Sequence, residues 1–391
     1  MAQQPRRGHA RRRATSATAN APLAILRAQR KKDRIEFATK DNAAAVIERL
    51  ARDWSYTLRV RTRWAGDSDL RDYFAGRAVD DLATLGIARE HLTQLAAVEH
   101  IEVQLGNEPM EQDDASTAIA AAAELPWEYL LSAATRSVGR LQPLLVTRCI
   151  PNGSTAKNGG AKKIMFFESA PGRIAQLYEF DDEEARIAAA VNVRGSTKLE
   201  FVRSEPLSEL KQKLGGSCDA IHVTGIDTHQ AAWLIPGYYD TFKDKLTVID
   251  ESDRLHDGMI LRGDHQGELP VRYDELAGIL LGPAKHPQIV TLNLYYSGAR
   301  TARELVRRGA YAALGFLDEI DDEFAERFFQ AFYWAWCRDR RSIPKAFLEA
   351  WTKMDGDRMH GTGIVIWLGR SMVGEPAGGV STTRRRAGVR R

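Results

Sequence analysis

Pro287-Gln-Ile-Val-Thr-Leu-Asn-Leu-Tyr295-Tyr-Ser-Gly298 is an apolar run that passes into a polar, glycine-ended turn. An apolar run of this length predicts a strand over 288–295 that is buried on both faces. Asp219-Ala-Ile-His222-Val-Thr-Gly225-Ile226-Asp227 has the same form and predicts a strand over 220–224. Similar runs recur at 141–150, 164–167, 199–202, 310–316 and 364–368. Helical patterns fall between several of them, at 183–191, 207–214, 273–281, 301–308, 321–336 and 345–353. Buried strands alternating with helices predict an α/β fold, a mostly parallel sheet covered on both sides. In such sheets the working groups gather beyond the carboxyl ends of the strands. Ile226 and Tyr295 both stand at such ends.

Toward the N-terminus, Asp41 reads as the N-cap of a helix with Val46, Ile47, Leu50 and Trp54 on one face. Residues 56–62 alternate apolar with charged and predict a half-buried strand. A helix over 88–98 and a strand over 101–105 follow. Residues 41–105 therefore read as a small N-terminal α+β unit or as extra strands on the main sheet.

The 391 residues are 44% hydrophobic and 27% charged, the balance of a globular protein. No apolar run reaches the ~18 residues of a membrane span. Residues 21–26 are too short for a signal-peptide core. Cys149, Cys218 and Cys337 are dispersed with no C-x-x-C pair. That spacing predicts neither a disulfide framework nor a zinc site, and a cytoplasmic, reducing location is expected. The net charge of +3 hides an asymmetry. Residues 1–40 hold eleven Lys/Arg against Asp33 and Glu36, and residues 371–391 hold five Arg against Glu375. The body between them is correspondingly acidic. Both basic tails are expected to be disordered and to attract nucleic acid or an anionic surface without specificity. No repeat of the kind that builds solenoids is visible.

From about Leu105 to Gly369 the chain resembles CHAT domains, the caspase-like bacterial relatives of cysteine peptidases. Leu125-Pro-Trp127-Glu-Tyr-Leu130 is similar to the motif that opens their catalytic half, and Ile164–Pro171 to the first core strand. Phe180–Glu183 resembles the acidic start of the next helix, and 257–281 the segment before the nucleophile strand. Gly309–Gly315, Phe324–Trp334 and Gly363–Gly369 complete seven pieces in the family's order. The resemblance implies a caspase-like three-layer sandwich over 106–370, after the unit at 41–105 and between basic tails at 1–40 and 371–391.

The family's histidine strand usually reads Ile-His-Phe-Ser-Gly-His-Gly, with the second histidine as general base, and Ile226 stands there. Its nucleophile strand usually reads Leu-Asn-Ala-Cys-Tyr-Ser-Gly, and Tyr295 stands at the cysteine. His222 matches the non-catalytic first histidine. Amide hydrolysis of this kind needs a thiolate with a base in reach. A phenol with a pKa near ~10 is a poor substitute, and isoleucine accepts no proton. The resemblance thus implies a degenerate member with no cofactor and no metal. Such a pseudoprotease is expected to bind a protein partner (an active protease, an effector or a repeat protein) in a bacterial defence or cell-death system. The rival expectation is a hydrolase built on His229 with Ser297 or Cys218. Trp127, His222, His229, Trp233, Tyr238, Tyr239, Tyr296 and Ser297 are the expected cleft or partner-binding residues.

Three further patterns carry bland readings. Asn152–Lys163 lacks the spacing of a phosphate loop and reads as a surface hairpin. His256, Asp257, Asp264 and His265 fit no metal-ligand motif and read as a solvated loop. Phe332–Trp336 reads as the buried face of a helix.

Overall fold

A computed structural model describes residues 22–373, apart from 31–32, 41–42, 109, 111–113, 156–159, 173, 179, 192–196, 215–216, 239–256, 266, 283–285 and 355–362. Asp41, Tyr239, His256 and most of the arginine-rich termini lie outside the described residues.

The strands are β1 (Ala24–Arg30), β2 (Asp33–Ala38), β3 (His100–Leu105), β4 (Leu145–Cys149), β5 (Lys163–Ser169), β6 (Lys198–Arg203), β7 (Ala220–Gly225), β8 (Gly258–Arg262), β9 (Glu268–Arg272), β10 (Ile289–Asn293), β11 (Ala312–Phe316) and β12 (Ile364–Leu368). Ten of them form one sheet in the order β2-β1-β3-β4-β12-β11-β10-β7-β5-β6, and β8 pairs with β9 in a separate hairpin. The block from β11 to β6 is parallel throughout. β12 then runs antiparallel to β11 and parallel to β4.

Both faces of the sheet are covered, as the two-sided apolar runs require. In β10, Val290 and Leu292 enter the core on one face. Ile289 enters the core on the other, beneath the helices Asp181–Val191, Asp322–Tyr333 and Ile343–Lys353. The first face carries the helices Ala44–Arg59, Trp127–Ser137, Leu207–Leu214, Tyr273–Leu280 and Thr301–Arg307. The molecule is a three-layer α/β sandwich around a mostly parallel sheet.

The N-terminal expectations need two corrections. Ala24–Arg30 and Asp33–Ala38 form strands instead of belonging to a disordered tail. Their apolar period is carried partly by alanines: Ala24, Leu26 and Ala28 are fully buried while β1 pairs with β3. Residues 56–59 are helical, because Leu50, Trp54 and Leu58 continue the 3.6-residue stripe begun at Ile47, which leaves Tyr56 exposed. Of the two alternatives for 41–105, the structure forms the extension of the main sheet: β3 lies parallel to β4 with Ile101 opposite Val146. Trp54 also packs on Tyr129, with ring centroids 5.3 Å apart.

Candidate functional site

The strand order reverses between β5 and β7. From β5 the chain crosses through Asp181–Val191 on one face to β6. From β7 it proceeds the other way, through Tyr273–Leu280 on the opposite face, to β10. Crossovers that part to opposite faces leave a crevice beyond the carboxyl ends, where α/β sheets bind ligands. The β8–β9 hairpin crosses this end. The Ile260 amide donates to the Ile226 carbonyl at 2.9 Å, and Ser169 Oγ donates to the Ile260 carbonyl at 2.8 Å. A side chain on Gly225 would meet Met259 Cε at 2.5 Å and the Ser169 carbonyl at 2.6 Å, so glycine permits the hairpin's approach.

Ile226 is buried at this end, in a small apolar cluster with Ile174, Ala231, Tyr238 and Ile260. Tyr295 leaves β10 on the other side and packs half-buried against the helical layer. Its hydroxyl donates to Asp322 Oδ1 at 3.3 Å. Burial, with the nearby Asp322, Asp227 and Tyr178, pushes its phenol well above the usual tyrosine range. A nucleophilic phenolate is therefore disfavoured.

Next to these two positions the structure brings His229 and Tyr296 together. Asp227 caps the helix Thr228–Leu234, its Oδ1 accepting from the amides of His229 at 2.6 Å and Gln230 at 3.0 Å. This cap aims the His229 ring at Tyr296, with centroids 4.3 Å apart. His229 Nε2 lies 2.9 Å from Asp257 Oδ1, and Asp257 Oδ2 lies 3.9 Å from Arg300 Nε. Tyr296 adopts a left-handed φ of 53°, a conformation that costs a bulky residue about 1–3 kcal/mol. Its hydroxyl donates to Glu319 Oε1 at 3.0 Å, and the Arg59 guanidinium lies over its ring.

An imidazole held by a carboxylate is a base with its orienting partner. Neither expected nucleophile completes it. Ser297 is buried, donating from Oγ to the Leu294 carbonyl at 2.7 Å and accepting from the Phe316 amide at 3.2 Å. Ser297 thus bonds the turn after β10 to the end of β11. Ser297→Ala is expected to lower stability by about 1–2 kcal/mol, read as a reduced urea midpoint; an unchanged midpoint would disprove the tie. Cys218 is buried before the first residue of β7, whereas His229 follows its carboxyl end, about 20 Å of strand away. Cys149 is buried in β4, which pushes its thiol far up, and Cys337 sits in the π-turn Trp334–Arg338.

The other expected site residues separate. Trp127 is not a cleft residue: its side chain is wholly buried and its Nε1 donates to the Ala122 carbonyl at 2.9 Å. His222 belongs to the core. Its Nδ1 lies 2.7 Å from Thr291 Oγ1 and its Nε2 lies 2.8 Å from Glu183 Oε1. Thr291 Oγ1 is 2.7 Å from the Tyr333 hydroxyl, and Asn293 Nδ2 donates to Glu183 Oε1 at 2.8 Å. This polar network ties β7 and β10 to the helices above them. Tyr238 is buried beside Ile226 and offers no surface. Trp233, at 90% exposure, is the most open to solvent of the expected partner-binding residues that are described.

Sequence reasoning passes over Tyr178, Glu183, Asp257 and Asp322 as site residues. Asp257 is no part of a solvated loop: it pairs with a histidine 28 positions away across the hairpin. Among the described residues no group of His, Cys, Asp and Glu has the arrangement of a metal site, and no helix is long and apolar enough to cross a membrane.

Neither a protein-family model nor a curated protein matches the chain. Among solved structures, it is similar to the Arg-specific cysteine proteinase gingipain R, with 12% identity and a TM-score of 0.37. The match covers 58% of this chain and 54% of the proteinase, about half of its length. The layered architecture rests on the strand order and register above.

Proposed function

We propose that this chain is a caspase-type fold used for binding and not for peptide cleavage, a regulator or adaptor that docks a protein partner. The observation that carries this reading is the identity and setting of two side chains. At the carboxyl ends of β7 and β10 stand Ile226, sealed in an apolar cluster, and Tyr295, packed against the helical layer. The CHAT domains that the sequence resembles commonly serve defence and cell-death systems in bacteria, and that is the setting proposed. A hydrolase built on His229 has one observation in its favour, the 2.9 Å approach to Asp257. Neither expected nucleophile serves it, since the Ser297 hydroxyl is engaged on both sides and Cys218 lies at the far end of β7.

Activity probes test the proposal. Native protein is expected to resist fast labelling by both a fluorophosphonate and iodoacetamide, with cysteines reacting only after unfolding. Rapid stoichiometric labelling of one serine or cysteine, lost in His229→Ala, would establish the hydrolase instead. Purification from the native host is expected to bring down a stoichiometric protein partner.

A further inference from the structure

β2 closes one end of the sheet, and among the described residues no strand pairs with its outer side. Free N–H and C=O groups along a strand edge are a template for one more strand. Folds that leave such an edge open blunt it with proline, a bulge, a very short strand or charge. β2 is six residues long, has no proline, and keeps its register with β1 without a bulge, from Ile25 opposite Ala38 to Arg30 opposite Asp33. Charge is the remaining device, and the order of the charges decides which strands it excludes.

Backbone parity fixes which residues face outward. The Thr39 amide donates to the Ala24 carbonyl at 2.9 Å, and bonded pairs recur at every second residue of an antiparallel ladder. Asp33, Ile35 and Phe37 therefore turn their N–H and C=O groups to β1, while Arg34 and Glu36 turn theirs outward. A further antiparallel strand must bond these two.

A second β2 meets that requirement with its own residues. In the register centred on Ile35, Arg34 of each copy lies opposite Glu36 of the other, and both pairs are hydrogen-bonded. Opposite charges then face one another twice. Ile35 meets Ile35 of the second copy at the non-bonded position, where side chains approach most closely. The registers on either side set Arg34 on Arg34 or Glu36 on Glu36, which like-charge repulsion disfavours. The side chains are already ordered for this. Arg34 Nη2 and Arg27 Nε reach the same Glu36 oxygen, Oε2, at 2.7 and 3.0 Å, and the Glu36 side chain stays 43% exposed. On the other face Ile35 and Phe37 pack against the core, and Phe37 stacks on His91 with ring centroids 4.1 Å apart. β6, at the far end of the sheet, lacks this complementarity: antiparallel self-pairing about its centre sets Lys198 against Arg203.

We propose that β2 pairs antiparallel with β2 of a second copy of this chain, in the register that joins Arg34 to Glu36 across a two-fold axis at Ile35. The inference goes beyond the binding-module reading and does not depend on it.

The test is sedimentation equilibrium of the full-length protein. Raising the concentration about a hundredfold through the micromolar range is expected to move the average mass from one chain toward two, as a small interface requires. Arg34→Glu and Glu36→Arg are each expected to weaken self-association at least about tenfold, because each sets like charges opposite one another. An equimolar mixture of the two variants restores every opposite-charge pair and is expected to associate as the natural protein does. Glu36→Pro removes an outward N–H while leaving the β1 ladder intact, and is expected to abolish the dimer. Hydrogen exchange of the unaltered protein provides a readout that needs no variant to fold: the Arg34 and Glu36 amides are expected to gain protection with concentration. A protein that stays a single chain throughout overturns the proposal and leaves the edge to another occupant. A dimer that survives the charge reversals, a mixture of variants that stays monomeric, or unprotected Arg34 and Glu36 amides in the dimer would each overturn it as well.

Discussion

Glu128→Ala is expected to destabilise the protein by about 3–5 kcal/mol, the penalty for leaving a buried charge unpaired. Arg148 projects from β4 with its side chain wholly buried. Its Nε and Nη2 meet the two carboxylate oxygens of Glu128 at 2.8 and 2.7 Å. Nη1 donates to the Ala123 carbonyl and Nη2 to the Leu125 carbonyl, and the guanidinium lies over the Trp367 ring. One side chain thus binds the end of the helix Asp114–Glu124, the start of Trp127–Ser137 and the middle of the sheet. Alanine at 128 removes the counter-charge and leaves the guanidinium in place. The double variant Glu128→Gln with Arg148→Met is expected to lose less than Glu128→Ala alone, because no charge stays buried. Urea unfolding of both variants checks the pair; a Glu128→Ala loss below about 1 kcal/mol would remove it from the core. The Pro-Trp-Glu motif then has a structural role, since Trp127 and Glu128 both face inward.

Asp227 is expected to make the protein less stable as the pH rises from about 4 to about 6. Burial first, and the Asp257 charge last, raise its pKa to about 6, while His229 and the two capping amides oppose the shift. The unfolded chain holds the ordinary value near 3.8. Between these values the folded state binds more protons than the unfolded one, so stability falls with rising pH. The stabilisation is full below about pH 3.8 and gone above about pH 6, worth about 3 kcal/mol at ~1.4 kcal/mol per pH unit. Asp227→Asn cannot ionise and lacks this slope. The difference in unfolding free energy between the two proteins, measured across pH 4–7, is expected to move in favour of the asparagine variant by that amount. A flat difference would mean that burial leaves the Asp227 carboxyl at its unfolded pKa.

Much of the fold was legible because burial on both faces leaves a mark within each segment. The runs at 164–167, 220–224 and 288–295 are strands at the centre of the parallel block, and the helices between them fall where the 3.6-residue period placed them. The N-terminal segments mislead for equally local reasons. In β1 two of the three buried positions are alanines and Ile25 stands on the opposite face, so the apolar alternation that would mark a core face is blurred. At 56–59 a short alternation imitates a strand, and only packing of Leu58 beneath the helix resolves it.

The sequence by itself determined that Ile226 and Tyr295 each follow a buried strand and bring neither a proton acceptor nor a thiol. Side-chain identity at a strand end needs no tertiary information. The tertiary structure alone decided that His229 meets Asp257, that Tyr296 covers it, that Ser297 is tied to β11, and that Asp227 and Glu183 each keep an unpaired oxygen in the crevice. Those contacts join residues from separate loops, and their geometry follows from strand order and register. Strand pairing is a long-range choice made by the whole core, and no local period encodes it.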